Sequence, residues 1–105
     1  MRENRYQTHV VKRLRREFPG CVVLKNDAEH LQGVPDRIVL YGRCWAMLEI
    51  KANANASRQP NQEHYIRMFD EMSFAAFIYP ENEEEVFNAL QQAFQFEGNP
   101  RIPQR

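Results

Sequence analysis

The 105-residue chain carries 14 Lys and Arg against 14 Asp and Glu, a formal net charge of zero. That length suits one domain with a single core of three or four strands and a few helices, and leaves no room for a second. No apolar run approaches the roughly 20 residues of a membrane span, and the N-terminal MRENRYQTHVVKRLRREF lacks the continuous apolar core of a signal peptide, so the chain reads as a soluble cytoplasmic protein.

The first 25 residues hold seven basic side chains (Arg2, Arg5, Lys12, Arg13, Arg15, Arg16, Lys25) against Glu3 and Glu17, a local charge of +5, whereas residues 80–97 hold five glutamates and no Lys or Arg. A basic N-terminal helix bearing Arg5, Lys12 and Arg16 is suited to a phosphate backbone. The acidic C-terminal segment would be repelled by one and is expected on the far side. For the KRLRR cluster taken alone, a solvated helix face is an equally good account.

In chain order, Tyr6, Val10, Val11, Leu14 and Phe18 repeat at helical spacing over residues 3–18, and Pro19-Gly20 stops the helix. Cys21 to Leu24 reads as a short strand, with Lys25 at its end placed to touch a phosphate. Cys21 and Cys44 lack CxxC spacing and read as reduced, buried thiols. NDAEHLQGV (26–34) has no sustained period and is expected to be a loop beside any site. Residues 36–41 and 44–51 read as two strands joined by Gly42-Arg43, a two-residue connection that makes them antiparallel neighbours. Pro60 opens a helix to about Met72, burying Ile66, Phe69 and Met72. SFAAFIY (73–79) is then a strand parallel to 44–51 through a βαβ crossover. Asn82 and Glu85 have the spacing of a capping box for a last helix whose stripe is Val86, Leu90, Ala93 and Phe94. The tail 98–105 is expected to be extended or disordered, leaving residues 1–97 as the domain.

Chemistry enters where charge interrupts apolar strands. Asp36, Glu49 and Lys51 occupy positions at which a purely structural sheet would carry valine, and burial of such groups needs a polar purpose. Strand alternation places Glu49 and Lys51 on one face with Trp45 and Met47, and Ala46, Leu48 and Ile50 on the other. The hairpin brings Asp36 across from the end carrying Glu49 and Lys51. Two carboxylates are then able to share one divalent cation, with the Ile50 carbonyl as a further oxygen; magnesium is typically held by one or two carboxylates plus substrate phosphate. Such a cation activates water and stabilises charge on a phosphodiester, and Lys51 orients the nucleophile or shares that charge. Without a metal the same residues make an acid–lysine pair at a strand end. Glu3 falls on the core-facing stripe of the first helix, where it either supports the helix dipole or faces the metal. Gln62 lies on the inward face of the second helix, with its amide available to Lys51, a water or a phosphate. His64 and Tyr65 follow on that helix, reading as a surface histidine and as a packing or base-stacking ring.

The segments ENRYQTHVVKRL, QGVPDRIVLYGRCWAMLEIK and RPNQEHYIRMF resemble the PD-(D/E)xK nuclease superfamily, and within it the VRR-Nuc family of small phage and bacterial domains. The likeness covers roughly residues 3–95. It implies an α/β, restriction-endonuclease-like αβββαβ core with a mixed four-stranded sheet and a C-terminal helix, and DNA phosphodiester hydrolysis assisted by Mg2+ or Mn2+. The family's helix-one acid corresponds to Glu3, its metal-binding carboxylates to Asp36 and Glu49, its lysine to Lys51 and its second-helix glutamine to Gln62. Stand-alone members are similar to structure-specific nucleases that work as homodimers on branched DNA such as Holliday junctions. The competing readings are a duplex nickase or restriction-type endonuclease, and a non-catalytic DNA-binding module retaining the fold.

Overall fold

A computed structural model describes residues 2–98, with side chains through residue 94; the expectation for the 98–105 tail lies outside the described residues beyond Gly98. Helix α1 (Glu3–Glu17) turns Tyr6, Val10 and Leu14 inward, and its end at Phe18-Pro19-Gly20 leads into β1 (Val22–Lys25). After the irregular 26–36 segment come β2 (Arg37–Tyr41) and β3 (Cys44–Ile50), then α2 (Pro60–Met72), β4 (Phe74–Ile78), a single 3-10 turn over Pro80–Asn82, and α3 (Glu83–Gly98). The four strands form one mixed sheet in the order β1-β2-β3-β4. Each of the first three runs antiparallel to its neighbour and β4 runs parallel to β3, as a crossover through α2 requires.

The β2–β3 hairpin closes through Gly42-Arg43 with Tyr41 opposite Cys44. Gly42 has φ +62° and among the described residues no non-glycine has positive φ, which is the signature of a type II′ turn with glycine at its first central position. From that turn the register runs through Leu40 opposite Trp45, Ile38 opposite Met47 and Arg37 opposite Leu48. One step further sets Asp36 opposite Glu49.

The core lies on one face of this sheet. Val39, Ala46, Leu48, Ile50 and Ile78 point to it and are closed over by Tyr6, Val10, Leu14 and Phe18 of the α1 segment and by Val86, Phe87, Leu90 and Phe94 of α3. Both helices therefore pack on the same side, which corrects the expectation that the acidic last helix stands away from the basic first one. Each helix has an apolar stripe, and a four-stranded sheet buries both only if they lie side by side. Arg13 of the basic cluster joins them, donating from Nη1 to Glu83 at 2.7 Å and to Glu84 at 2.6 Å.

On the opposite face α2 covers β3 and β4, with Phe69 edge-on to Trp45 and stacked on Tyr65. No α2 residue is fully buried, and Met72 is 63% exposed, against its expected inward place. Helix α2 meets the sheet chiefly along this two-strand half, and its last turn overhangs. Beyond it, Val22 and Leu24 on the edge strand β1 remain about half exposed (48% and 47%). The expected Asn82–Glu85 capping box is also not formed. Asn82 turns back on the end of β4, accepting the Tyr79 N–H at 2.9 Å and donating to the Phe77 carbonyl at 3.0 Å. Cys44 is buried and Cys21 partly so. Among the described residues no helix is long and apolar enough to cross a membrane.

Candidate active site

Asp36 and Glu49 interlock at the open end of the hairpin. The Asp36 N–H donates to Glu49 Oε1, and the Ile50 N–H donates to Asp36 Oδ2, each at 3.1 Å. Each carboxylate is thus fixed by the other strand's backbone, with Asp36 also braced from its outer side. The Asn26 N–H donates to the Asp36 carbonyl at 2.8 Å, while Asn26 Nδ2 donates to the carbonyl of buried Pro35 at 2.9 Å. Asn26 carries no signal in the sequence beyond its place after β1.

Lys51 continues β3, its N–H donating to the Ile78 carbonyl at 2.9 Å, and its ammonium lies 3.6 Å from Glu49 Oε2. Gln62 closes the circuit. Its Oε1 accepts from Lys51 Nζ at 3.1 Å and from the Gln59 N–H at 3.0 Å, and its Nε2 donates to Glu49 Oε2 at 2.9 Å. This amide orientation follows from the chemistry: two donors face the oxygen and a carboxylate faces the nitrogen. Gln62 is also the third residue of α2, so the contact that caps the helix start is the one that holds lysine and glutamate together.

The electrostatics are those of two acids forced together. Burial first, then the Asp36 charge, push the Glu49 carboxyl up to about 7, against the pull of Lys51. Asp36 is raised as well, by burial, with the Ile50 N–H and the charges of Lys51, Arg37 and Lys25 pulling it down. Neighbouring desolvated carboxylates resist joint ionisation, and a divalent cation removes that resistance. Hard oxygen donors from two carboxylates fit magnesium or manganese, which complete their shells with water and phosphate.

Of the residues expected at the site, Asp36, Glu49, Lys51 and Gln62 converge, and Ile50 joins them through its N–H to Asp36. Glu3 does not reach them: it is exposed in the first turn of α1, and among the described residues no group of three or more His, Cys, Asp or Glu side chains is placed to hold a metal. It does share a stripe with Gln7, one turn on, whose Oε1 accepts from Arg37 Nη2 at 3.0 Å. Arg5, Lys12 and Arg16 are exposed and share the side of α1 opposite Tyr6, Val10 and Leu14, while Lys25 is exposed at the end of β1 and pairs in register with Arg37. His64 is exposed, edge-on to Tyr65, whose ring packs on Phe69.

No protein-family model and no curated protein matches this sequence. Solved structures do. A VRR_NUC domain protein superposes with TM-score 0.65 at 19% identity, covering 90% of this chain and 89% of its own. A VRR_NUC domain superposes with TM-score 0.65 at 24% identity over 87% of this chain and 96% of that one. The fold is therefore a VRR_NUC fold, mixed sheet and C-terminal helix included.

Proposed function

From the premise that the chain has a VRR_NUC fold, we propose that the protein is a divalent-metal-dependent endonuclease that hydrolyses DNA phosphodiester bonds. The observation that carries this reading is the Asp36–Glu49 pair set opposite each other in register and tied through Gln62 to Lys51. A bound Mg2+ or Mn2+ would lower the pKa of an attacking water and offset charge building on the phosphodiester. Asp36 and Glu49 would hold it, joined by the Ile50 carbonyl and by Glu3 if the first turn of α1 closes on the pair.

The side chains divide the remaining work. Lys51 has three N–H donors, and among the described residues only Gln62 accepts from it, so donors remain for a phosphate oxygen or the attacking water. Each Glu49 oxygen accepts one hydrogen bond, from Gln62 or from the Asp36 N–H, with the ammonium 3.6 Å from Oε2, so each would keep a lone pair for a cation. The exposed basic side of α1, with Arg5, Lys12 and Arg16, would carry the flanking duplex. Branched DNA such as a Holliday junction as substrate, and a homodimer as the working form, follow from the resemblance of QGVPD, LEIK and RPNQ to stand-alone VRR-Nuc nucleases. Two copies would also supply the surface that one 105-residue chain lacks for gripping two arms.

Purified protein with Mg2+ is therefore expected to cut a four-way junction in preference to a flap, a single strand or a linear duplex. Lys51→Ala and Asp36→Ala should each lower cleavage by on the order of 10²–10³-fold with unchanged circular dichroism. Undiminished cleavage by both variants would sink the assignment. Preferred cutting or nicking of linear duplex would replace the junction with ordinary DNA, and binding without cleavage would leave a DNA-binding module.

A further inference from the structure

Arg37 follows Asp36 directly, and nothing in the circuit of Asp36, Glu49, Lys51 and Gln62 uses it. Strand alternation turns it to the other face of β2, toward α1. There its Nη2 donates to Gln7 Oε1 at 3.0 Å, and among the described residues its buried Nε has no hydrogen-bond partner and its Nη1 makes no hydrogen bond. Among the described residues no carboxylate pairs with it. Its cross-strand partner is Lys25, a second cation, which is exposed and likewise without an ion pair.

Folding alone does not favour this arrangement. Like charges directly opposite in a sheet are destabilising, and an enclosed guanidinium nitrogen without an acceptor is costly. An arginine at a strand end would ordinarily extend its head into water. Here the side chain is instead fastened to α1 by Gln7, on a strand position paired in register with an exposed lysine. A fixed guanidinium edge with an ammonium alongside is the arrangement that receives a phosphate, which takes two parallel N–H bonds from arginine. Arg37 adjoins Asp36 in the chain and pairs in register with Lys25, which sets the two cations at the same end of the hairpin as the carboxylates.

We propose that Arg37 and Lys25, with Gln7 as the positioning residue, form a seat for a second backbone phosphate, adjacent along the strand to the phosphodiester engaged by Asp36 and Glu49. This inference rests on the nuclease reading and adds to it a register: the nucleic-acid strand is held at two consecutive points across the start of β2.

The test is phosphate interference. Substrates carrying a single neutral methylphosphonate at successive positions around the cut are assayed with the full chain, native and Arg37→Gln, with Lys25→Gln as a second variant at an exposed position that does not endanger folding. Native protein is expected to lose about tenfold or more in kcat/KM when one particular neighbouring phosphate is neutralised. Arg37→Gln should show a similar loss on the unmodified substrate, mostly as a raised KM, and no further loss from that same methylphosphonate, with the salt slope of binding reduced by about one. Lys25→Gln should show a smaller version of the same effect, and Arg37→Lys should recover part of the loss. If both glutamine variants keep the native interference pattern, the seat is overturned while the nuclease stands. If the native protein cuts none of the DNA substrates, the nuclease reading fails and this one with it.

Discussion

Glu49 is only 4% exposed, yet its neighbours are a second carboxylate, an amide and a lysine. Its carboxyl titrates near 7 in the metal-free protein, well above the ordinary value of about 4.3, so the folded state holds a proton that the unfolded chain has released across that interval. Stability from this group is thus full below about pH 4 and drains away as pH rises through 7. Asp36→Asn removes the second cause of the shift while keeping an oxygen for the Ile50 N–H. The metal-free variant is expected to be more stable than the native protein at pH 8 by about 1 kcal/mol, a rise of roughly 4–8 °C in Tm, with the gain shrinking toward pH 5. A Tm difference independent of pH would show that the two acids do not repel. The same substitution should abolish cleavage, since the destabilising pair is the one proposed to hold the cation. These residues were legible in the sequence because a strand's alternation and a two-residue turn fix who faces whom. Arg37, Gln7 and Asn26 were not, since each acts through a partner on another element and none breaks a local pattern.

At the scale of elements, the 26–36 segment is seated on the start of α2 through Gly33. Gly33 has φ +92°, and a Cβ there would lie 2.4 Å from Asn61 Cβ and 3.1 Å from its carbonyl carbon. Asn61 is the residue before Gln62, so the loop's fit and the site's bridging amide share one turn of helix. Gly33→Ala is strained on both counts and is expected to displace α2's first turn, lowering cleavage by on the order of tenfold while destabilising the fold by roughly 1–2 kcal/mol. Unchanged kinetics would show that loop and helix adjust independently. The order and type of the elements followed from periodicity and from Pro and Gly punctuation, and the bounds came within a residue or two. What periodicity missed has a physical cause in each case. Met72 keeps helical phase with Phe69 but sits where the helix has run past its sheet, and Phe87 is buried between two stripe positions because α3 meets both the sheet and α1. Asn82 found the frayed end of β4 a nearer customer than the helix it precedes.

For the molecule as a whole, the junction of first and last helices is electrostatic as well as apolar. Buried Glu83 accepts from Tyr6 Oη at 2.8 Å and Arg13 Nη1 at 2.7 Å, and lies 2.9 Å from His9 Nε2. Burial alone would raise its carboxyl, but the bonds from Arg13, His9 and Tyr6 outweigh it and hold the group below the usual carboxylate range. That contribution is present above the unfolded value of about 4.3 and is lost as pH falls through the lowered one. Glu83→Gln should therefore destabilise the protein by roughly 1–3 kcal/mol at pH 7 in denaturant titration, with the difference narrowing below about pH 4. An equal loss at pH 3 and pH 7 would contradict the ionic account. The segregation of charge along the chain was visible in the sequence, but the pairing of the two ends was not, because it is made across 70 positions by side chains that each look solvated in their own helix. The hairpin has a last consequence, for how such a sequence is free to diverge. Asp36 meets Glu49 only because Gly42-Arg43 lies midway between them. One residue gained or lost at that remote turn, with the turn type kept, slides Asp36 against Leu48 or Ile50 and sends an acid toward the core. Length changes in this hairpin can be inherited only in matched pairs, one in each strand, so the spacing of the two acids has to drift by even numbers.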